Sequence, residues 1–438
     1  MNIKHLLLNI KKTTHSFEVS GLSLNSKTLQ KGDVFIALQG EKNHGSEYID
    51  NAIENGCIAV LIEDKEIDCT VPTIEIENLK AKLSTLAENF YTHAKNVDLI
   101  AVTGTNGKTS VSHFISQLLS SLKIKNGVIG TLGISSSDKK TINTTPDIFT
   151  IYRTLQDYSE QGIEIAIIEA SSHALIQNRL EGLSFIQGIF TNLTQDHLDY
   201  HQTMDNYRDA KGKLFESALT TKSIINRDDD NHDYFLNIAA DKGPITFGIS
   251  DLDLFKSSEK GFICQLNNFV FELPLVGKFN LSNALAAYTS LSCMGHSDES
   301  LIPLLAKLSP PPGRMQQLQK SNIWVDYAHT PDALFNALVT FKTHYPEFKI
   351  RVLFGCGGDR DKTKRQIMGK IASENADSII LTNDNPRGES PEKIITTKEA
   401  IILTMKKREK ERRKKREKKR EKKREKKKEK KKEKKSVK

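Results

Sequence analysis

The stretch Asp98-Leu-Ile-Ala-Val-Thr103 runs directly into Gly104-Thr-Asn-Gly107-Lys108-Thr109, and this junction decides the fold class. The first six residues are mostly apolar, which is typical of a buried strand. A helix is expected to follow, from about Lys108 to Leu122. In such a strand–turn–helix junction, backbone N–H groups face the phosphates of a nucleotide and the helix N-terminus adds a favourable dipole.

The side chains of the turn complete a phosphate loop. Lys108 supplies a positive charge, and the hydroxyl of Thr109 can ligate magnesium. The second glycine follows the first by three positions, rather than by the five of the usual GxxxxGK[ST] pattern. A chance glycine-rich turn is the alternative, but the flanking strand and helix favour a nucleotide site. The sequence therefore predicts ATP binding by Gly104, Thr105, Asn106, Gly107, Lys108 and Thr109.

Strands and helices alternate on both sides of this loop. A chain of 438 residues is too long for one hydrophobic core. A small α/β unit precedes the loop, with strands expected at 33–38 and 59–62 around a helix near 49–55. Further buried runs follow the loop at 163–168 and 188–190. This alternation predicts a largely parallel sheet that is covered by helices on both faces.

A proline-rich break, Pro310-Pro-Pro-Gly313, separates this part from a C-terminal region. Three strand-like runs follow at 323–326, 350–354 and 378–381, with functional residues expected at the C-terminal edge of the strands. The expected fold is α/β with three domains: a central P-loop-type parallel sheet lies between an N-terminal unit and a doubly wound α/β C-terminal domain. The predicted domains span residues 1–95, 96–310 and 311–405, and a Lys/Arg/Glu low-complexity tail spans 406–438.

The net charge of +9 comes from the tail. Residues 406–438 contain 24 basic and 7 acidic residues, a net charge of +17, which leaves the body of the protein near −8. A mildly acidic body is not typical of a nucleic-acid-binding domain. Five cysteines without a CxxC pair indicate reduced thiols in a cytoplasmic protein. No apolar run is long enough for a signal peptide or a membrane span.

Polar residues follow two later strands of the central region. Glu169 ends the run 163–168, and His197 follows the run 188–190. Because strand ends of a parallel sheet converge on the phosphate loop, these two side chains can share magnesium with ATP. Each by itself also fits a surface carboxylate or a histidine in a capped turn. Their position after strands of a P-loop domain favours the metal site.

Four segments of the central region resemble motifs of the Mur ligases. They are the loop Gly104–Thr109, Glu169-Ala-Ser-Ser-His173, Asn192-Leu-Thr-Gln-Asp-His197 and Tyr207-x-x-Ala-Lys211. The resemblance covers about residues 20–395. It implies an enzyme with a UDP-binding domain, a central ATPase domain and an amino-acid-binding domain. Lys108, Lys211 and His197 are the implied catalytic residues. The resemblance also implies two magnesium ions held by Thr109, Glu169, His197 and a carbamylated Lys211.

The resemblance assigns further residues to the nucleotide and the nucleotide sugar. Asn280, Asn283 and Arg314 match adenine and ribose contacts, and Asp326-Tyr-Ala-His-Thr-Pro-Asp332 is a signature expected near the nucleotide. Asn25-Ser26-Lys27 departs from the commoner Asp-Ser-Arg of the UDP-binding segment. The residues implied in binding the UDP-muramoyl dipeptide are Ser26, Thr144, Thr145, Ser171, Gln177 and Arg179.

Asp384-Asn385-Pro386-Arg387 resembles the motif of the Mur ligases that add meso-diaminopimelate, and Arg360 matches a further contact to the amino acid. A guanidinium can bind a carboxylate bidentately, and diaminopimelate differs from lysine by one carboxylate. The implied reaction joins meso-diaminopimelate to UDP-N-acetylmuramoyl-L-alanyl-D-glutamate through an acyl phosphate, with ATP converted to ADP, in peptidoglycan synthesis. A lysine-adding enzyme, a folylpolyglutamate-synthetase-like ligase and a catalytically impaired nucleotide-binding homologue remain open.

The resemblance is expected to stop after about residue 402, before the last strand and helix of the amino-acid domain. The tail fits a disordered or nascent helix with Glu–Lys pairs, a basic arm for RNA or a membrane surface, or a frameshifted or mispredicted C-terminus, of which we favour the last. A monomer in the cytoplasm is expected, without a membrane span and without nucleic-acid contact by the body.

Overall fold

A computed structural model describes residues 1–40, 43–63, 67–135, 143–216, 219–319 and 321–396. The basic tail therefore lies outside the described residues. In the described part of the chain, no helix is long and apolar enough to cross a membrane.

A four-stranded parallel sheet forms the N-terminal unit, in the order β1-β2-β3-β4. Its two inner strands are buried along their whole length, as expected for strands that helices cover. The strands are β1 (Gly21–Ser23), β2 (Asp33–Ala37), β3 (Ala59–Ile62) and β4 (Thr73–Glu75). The helices of this unit are α1 (Ile3–Leu6), α2 (Ile49–Glu54) and α3 (Leu83–Phe90).

A seven-stranded sheet forms the centre, in the order β11-β10-β9-β5-β8-β6-β7, and only its edge pair β6–β7 is antiparallel. The strands are β5 (Asp98–Thr103), β6 (Asn126–Gly130), β7 (Gly133–Ile134), β8 (Ile165–Glu169), β9 (Phe185–Phe190), β10 (Thr220–Asn226) and β11 (Ile245–Phe247). The strand that leads into the phosphate loop, β5, lies between β8 and β9. The carboxyl ends of these three strands therefore meet at one edge, at the point where the strand order reverses.

Helices cover both faces of this sheet, as the apolar runs predict. They are α4 (Lys108–Ser121), α5 (Ile148–Glu160), α6 (Ser172–Ile176), α7 (Leu198–His201), α8 (Met204–Gly212), α9 (His232–Ile238), α10 (Lys278–Ser292) and α11 (Asp298–Leu305). A separate antiparallel sheet consists of β12 (Leu254–Ser258), β13 (Gly261–Leu266) and β14 (Phe269–Leu273). Short 3₁₀ helices lie at Gly45–Tyr48, Leu79–Lys82, Thr92–Asn96, Ala240–Lys242 and Ile249–Asp251.

The C-terminal region contains two small sheets. β15 (Gln316–Gln317) pairs antiparallel with β16 (Trp324–Val325), whereas β17 (Arg351–Phe354) pairs parallel with β18 (Ser378–Leu381). The first predicted strand of this region is thus shorter than 323–326 and pairs outside the parallel sheet. Helices α12 (Pro331–His344) and α13 (Thr363–Asn375) complete the described part of the region.

The buried apolar side chains form separate cores. One continuous cluster contains residues of the N-terminal sheet, such as Val34 and Leu61, together with Phe149 and Tyr152 of α5 in the central part. The C-terminal region has its own smaller cluster around Met368. The first two units therefore share a core, which favours a fixed arrangement of the two. The domain boundaries at residues 95 and 310 stay predictions.

Candidate active site

The phosphate loop connects β5 to α4 with two glycines in conformations that other residues rarely adopt. Gly107 has φ +89° at the N-cap of α4, and Gly104 has φ +150°. A Cβ at position 107 would lie 2.6 Å from Oδ1 of Asn283, and one at position 104 would lie 1.9 Å from Oγ1 of Thr191. Glycine is therefore required at both positions for torsional and for steric reasons.

Lys108 begins α4 and its side chain lies over the loop. Its Nζ donates to the carbonyl oxygens of Gly104 at 2.6 Å and of Thr105 at 2.9 Å. Burial lowers the pKa of Lys108, which the charges of Glu169 and Asp196 partly oppose. A cation held at the carbonyl side of this loop is suited to neutralise phosphate charge.

Thr109 and Glu169 form an oxygen cluster beside the loop. The Thr109 hydroxyl donates to Oε2 of Glu169 at 3.0 Å, and the Thr131 hydroxyl donates to the same oxygen at 2.9 Å. Nη2 of Arg314 reaches Oγ1 of Thr109 at 3.2 Å from the C-terminal side of the proline-rich break. Hydroxyl and carboxylate oxygens are the ligands that magnesium prefers. Among the described residues, however, no three His, Cys, Asp or Glu side chains are grouped to hold a metal ion by themselves.

His197 lies at the same strand edge, in the turn before α7, with φ +53°. Burial lowers the pKa of His197 to about 3, although Oδ2 of Asp196 lies 3.3 Å from its Nε2. The imidazole is therefore neutral near pH 7 and keeps a lone pair. The ring of His173 packs edge-on against it, with centroids 4.8 Å apart.

Lys211, on α8, is the most deeply buried lysine of the site, with 1% of its surface exposed. Its Nζ lies 4.4 Å from the centre of the Tyr207 ring, and no hydrogen bond joins it to another described residue. Burial lowers the pKa of Lys211 far below its ordinary value, and the charge of Lys108 adds to this effect. The side chain is therefore an amine that is easily deprotonated, rather than the solvated ammonium that is usual on a helix surface.

The predicted adenine and ribose contacts occupy the start of α10. Asn283 faces the phosphate loop, whereas Asn280 lies behind it and donates to the carbonyl of Val276 at 3.0 Å. The two amides are hydrogen-bonded to each other at 3.4 Å. The guanidinium of Arg314 stacks on Tyr327, with its carbon 4.3 Å from the ring centre.

Several residues predicted for the dipeptide lie just beyond the carboxyl end of β8, the strand that ends at Glu169. The Thr145 hydroxyl donates to the backbone oxygen of Glu169 at 2.6 Å, and Nη1 of Arg179 donates to the Thr145 carbonyl at 2.6 Å. Ser171 accepts from the Thr145 hydroxyl at 3.0 Å. Ser26, in the N-terminal unit, is buried, and its backbone oxygen accepts from Asn55.

The loops that follow β17 and β18 carry the residues predicted for the incoming amino acid. Arg360 lies on the first loop, 3.7 Å from a carboxylate oxygen of Asp199 in the central part. Asp384, Asn385, Pro386 and Arg387 form the second loop, and Nη1 of Arg387 donates to the Gly358 carbonyl at 2.6 Å.

One cleft of about 2070 Å³ connects these groups and is lined by residues of all three parts of the chain. Of the predicted residues, those that line it are Thr105, Asn106, Gly107, Lys108, Thr109, Thr144, Glu169, Ser171, Gln177, Arg179, His197, Asn283, Arg314, Arg360, Asp384, Asn385 and Arg387. The predicted residues that do not line it are Ser26, Gly104, Thr145, Lys211, Asn280 and Pro386.

Several polar contacts across the cleft are absent from the predicted set. Asp196 is 4% exposed, and its carboxylate lies 3.4 Å from Nε2 of His329 and 3.7 Å from Nζ of Lys364. These two side chains come from different segments of the C-terminal region. Burial would raise the pKa of Asp196, but the hydrogen bond from His329 and the neighbouring charges outweigh it and lower the pKa. Asn106 of the phosphate loop also donates to Asp332 at 3.2 Å. The motifs of the sequence analysis contain four of these five residues, all except Lys364, but the sequence does not reveal which of them meet.

The chain matches three family descriptions in succession. They are "Mur ligase family, catalytic domain" at residues 18–91, "Mur ligase middle domain" at 102–291 and "Mur ligase, glutamate ligase domain" at 313–422. The third match continues past residue 402, where the resemblance was expected to stop, into residues outside the described part of the structure.

Curated relatives share the sequence over most of its length. The UDP-N-acetylmuramoyl-L-alanyl-D-glutamate–2,6-diaminopimelate ligase of Wigglesworthia glossinidia brevipalpis is 38% identical, over 90% of this chain and 85% of the relative. The ligase of the same name from Buchnera aphidicola subsp. Schizaphis graminum is 38% identical, over 93% of this chain and 88% of the relative.

Solved structures agree with this relationship. A structure of UDP-N-acetylmuramoyl-L-alanyl-D-glutamate–2,6-diaminopimelate ligase matches with a TM-score of 0.66 at 33% identity, covering 91% of this chain and 85% of that one. The MurF ligase of Thermotoga maritima in complex with ADP has a TM-score of 0.60 at 19% identity, covers 88% of this chain and 98% of that one, and shows the shared fold alone. Family descriptions, relatives and fold agree along the chain, which therefore belongs to the Mur ligase family.

Proposed function

We propose that this chain is an ATP-dependent ligase that joins meso-diaminopimelate to the D-glutamate of UDP-N-acetylmuramoyl-L-alanyl-D-glutamate, in peptidoglycan precursor synthesis. The curated relatives quoted above carry the name of this activity and are 38% identical to the chain. The observation that supports the proposal most directly is that one cleft is lined both by Lys108 of the phosphate loop and by the arginines Arg360 and Arg387. A ligase needs its phosphate donor and its amino-acid acceptor in one enclosed space.

ATP and Mg²⁺ are the cofactors of this function. The hydroxyl of Thr109 and the carboxylate of Glu169 are neighbouring hard oxygen donors, and the neutral His197 faces the same cleft, so this donor set fits magnesium that also binds nucleotide phosphates. When bound, magnesium supplies positive charge that stabilises the phosphoryl oxygens. Asn283, Asn280 and Arg314 are proposed to hold the adenosine part, beside the loop residues Gly104 to Thr109.

In the first step the substrate's D-glutamyl carboxylate attacks the γ-phosphorus of ATP, the bond to the β–γ bridging oxygen breaks, and ADP leaves. Lys108 lies where it can neutralise the transferred phosphoryl group. We assign Ser26, Thr144, Thr145, Ser171, Gln177 and Arg179 to binding and orienting the UDP-linked dipeptide. Ser26 and Thr145 do not line the cleft, and Thr145 would act through Ser171, whose hydroxyl it contacts at 3.0 Å.

In the second step the amine of diaminopimelate attacks the acyl carbon, phosphate leaves, and the amine loses a proton. Arg360, Asp384, Asn385, Pro386 and Arg387 are proposed to orient the amino acid, with guanidinium groups directed at its distal carboxylate. The acceptor arrives from the C-terminal region and the acyl phosphate from the central part, so closure of the cleft must precede this step.

We also propose that Lys211 is carbamylated, so that a lysine ammonium is replaced by a carboxylate that can hold a second magnesium ion. Addition of CO₂ requires an uncharged amine, and burial lowers the pKa of Lys211 towards that state. Labelling with ¹³C-bicarbonate should give a carbamate ¹³C signal that a Lys211→Arg variant lacks. Identical spectra of the two proteins would exclude the modification.

A substrate panel tests the function directly. ADP release is measured with the UDP-linked dipeptide and, in turn, meso-diaminopimelate, L-lysine or L-glutamate, together with incorporation of isotope-labelled diaminopimelate. The proposal expects release that depends on diaminopimelate. A preference for lysine would indicate a lysine-adding enzyme. A further arm replaces the dipeptide with a folate, and ADP release with folate and L-glutamate would indicate the folylpolyglutamate synthase activity named for structures that share only the fold.

Absence of turnover with nucleotide binding retained would indicate a catalytically impaired homologue.

We propose that the enzyme acts as a monomer in the cytoplasm, where ATP and nucleotide-linked precursors are found. Light scattering tests the monomer, and comparison with a chain ending at residue 405 tests whether the basic tail contributes to turnover or contacts polyanions.

A further inference from the structure

We propose that Glu389 is a positioning residue for amino-acid specificity, because its carboxylate links the two loops that carry Arg360 and Arg387. This inference rests on the proposed function and adds a residue that the family motifs quoted above do not include. Glu389 follows the Asp384–Arg387 motif by two positions and does not line the cleft. It would therefore act through the arginines rather than on the substrate.

The two loops leave neighbouring parallel strands and pack backbone against backbone. The first loop (residues 355–361) follows β17, and the second loop (residues 384–389) follows β18. The N–H of Gly358 donates to the carbonyl of Asn385 at 2.9 Å. A Cβ at position 358 would lie 1.8 Å from the carbonyl oxygen of Pro386. Glycine at this position is what lets the loops approach so closely.

The Glu389 carboxylate is the polar centre of this junction. Oε2 accepts from Nη1 of Arg365 at 2.9 Å, and Oε1 accepts from Nη2 of Arg365 at 2.8 Å. Oε1 also accepts from the backbone N–H of Asp359 at 2.7 Å. One carboxylate thus connects the second loop to the first loop and to helix α13, which carries Arg365. Bidentate charged pairs of this kind fix both distance and orientation.

Arg365 is committed to this role. Only 4% of its side chain is exposed, and its Nη2 also donates to the carbonyl of Gly357 at 3.2 Å. Its Nε has no hydrogen-bond partner among the described residues. A buried guanidinium in this state would be destabilising without the bidentate carboxylate. The Arg365–Glu389 ion pair therefore holds the two loops together and is more than an exposed surface ion pair.

Backbone conformation on both loops depends on the same contacts. Asp359 and Arg387 both have φ +49°, a left-handed conformation that costs free energy for residues other than glycine. Oδ2 of Asp359 accepts from the N–H of Gly388 at 2.8 Å, and Arg387 donates to Gly358. Each left-handed residue thus lies at a bond between the loops. Such conformations persist when surrounding contacts fix them, and Glu389 provides one of those contacts by accepting from the N–H of Asp359.

This arrangement matters for specificity because Arg360 and Arg387 line the same cleft. Nη1 of Arg387 is used for the Gly358 carbonyl, and in the described residues no partner is seen for the other N–H groups of that guanidinium. Recognition of a second carboxylate by these groups requires their spacing to be fixed within a fraction of an ångström. Without the Glu389 link, the hydrogen bonds from Gly358, Gly388 and Arg387 would still join the loops, but their relative position would be less firmly fixed and bidentate recognition would weaken.

The test compares Glu389→Ala with wild type, using the full chain with ATP and the UDP-linked dipeptide. KM and kcat are measured for meso-diaminopimelate and for L-lysine. We expect KM for diaminopimelate to rise at least tenfold in Glu389→Ala, with KM for ATP unchanged and lysine turnover unaffected, so that selectivity falls tenfold. The KM of Glu389→Gln for diaminopimelate should lie between those of wild type and Glu389→Ala, because the glutamine amide oxygen can still accept from the N–H of Asp359.

Glu392→Ala is the matched control, since this neighbouring carboxylate is exposed and accepts from the Ser390 hydroxyl on its own side of the junction. It should keep wild-type constants. If Glu389→Ala does not fold, Arg365→Lys replaces it, because lysine keeps the charge and loses the bidentate fork. The same rise in KM is expected there.

An unchanged KM for diaminopimelate, or a fall in kcat alone, in a folded variant of an enzyme that uses diaminopimelate would overturn the role of Glu389 and leave the proposed function standing. A wild-type enzyme that does not turn over diaminopimelate would overturn the proposed function, and this assignment with it.

Discussion

Two lysines of the candidate active site, the half-buried Lys108 and the buried Lys211, differ in what surrounds their amino groups. Lys108 is held by two backbone carbonyls of the phosphate loop, whereas Lys211 lies against an aromatic ring without a hydrogen bond to any described residue. Carbonyl oxygens stabilise the charged form, so Lys108 is suited to remain a cation. Lys211 is suited to become an uncharged nucleophile. The residue type is the same, and the environment decides the chemistry.

Replacing Lys108 with alanine should lower kcat for ADP release at least 10²–10³-fold, because the cation that neutralises the transferred phosphoryl group is lost. Diaminopimelate-dependent ADP release measures this. Lys307→Ala, at an exposed position distant from the cleft, is the control and should match wild type. Phosphate release at the wild-type rate from the Lys108 variant would refute the role given to this lysine.

At the scale of elements, helix α12 joins the C-terminal region to α10, the helix that carries Asn280 and Asn283, which are proposed to contact adenosine. His344 ends α12, and its Nε2 accepts from the N–H of Gly277, the N-cap of α10, at 3.2 Å. Its Nδ1 lies 2.7 Å from the carbonyl of Ser258. These contacts require the neutral tautomer with the proton on Nδ1. The histidine thus fixes α12 against the start of α10.

Burial lowers the pKa of His344, and this has a consequence for stability. In the unfolded chain the imidazole of His344 takes up a proton below about pH 6.5, whereas in the folded protein it stays neutral to a lower pH. The free energy of unfolding therefore falls as the pH drops below that value, by at most about 1.4 kcal/mol per pH unit. His344→Gln should show a shallower loss of thermal stability between pH 7 and pH 5 than wild type. Calorimetry at several pH values measures this, and parallel slopes would contradict it.

At the scale of the whole molecule, the cores predict how the protein unfolds. The N-terminal and central units share one apolar cluster, while the C-terminal region has a separate and smaller one. We expect two calorimetric transitions. Tyr152→Ala should destabilise the shared core by about 3–5 kcal/mol and Met368→Ala the C-terminal core by about 2–5 kcal/mol, each shifting its own transition. A single transition moved by both variants would show that the units are coupled.

Closure of the cleft should depend on Asp196, which receives His329 and Lys364 from the C-terminal region. Asp196→Asn leaves the nearly buried Lys364 without its carboxylate, and such a loss typically costs about 3–5 kcal/mol. We expect kcat/KM for diaminopimelate to fall at least tenfold while ATP binding is retained, and X-ray scattering to report a larger radius of gyration. Asp205→Asn, an exposed carboxylate paired within its own helix, is the control. An equally compact Asp196 variant would exclude the role in closure.

The sequence alone was sufficient for the family and the α/β class, and it predicted the central site, because these depend on local patterns. The junction of β5 with Gly104–Thr109 needs only adjacent residues, and parallel strands bring Glu169 and His197 to the same edge. The predicted family and fold are confirmed by the comparisons. The individual site residues and the carbamylation of Lys211 stay predictions.

The tertiary structure decided which distant groups meet. Glu389 and Arg365, or Asp196 and Lys364, lie 24 and 168 positions apart, and no periodicity encodes their contact. It also decided the state of Lys211: the sequence shows an ordinary helical lysine, and only the packing of α8 against its neighbours, such as α6 and α7, removes it from water. It assigned Trp324 to an antiparallel pair, because strand partners are chosen by long-range packing and not by the apolar run itself.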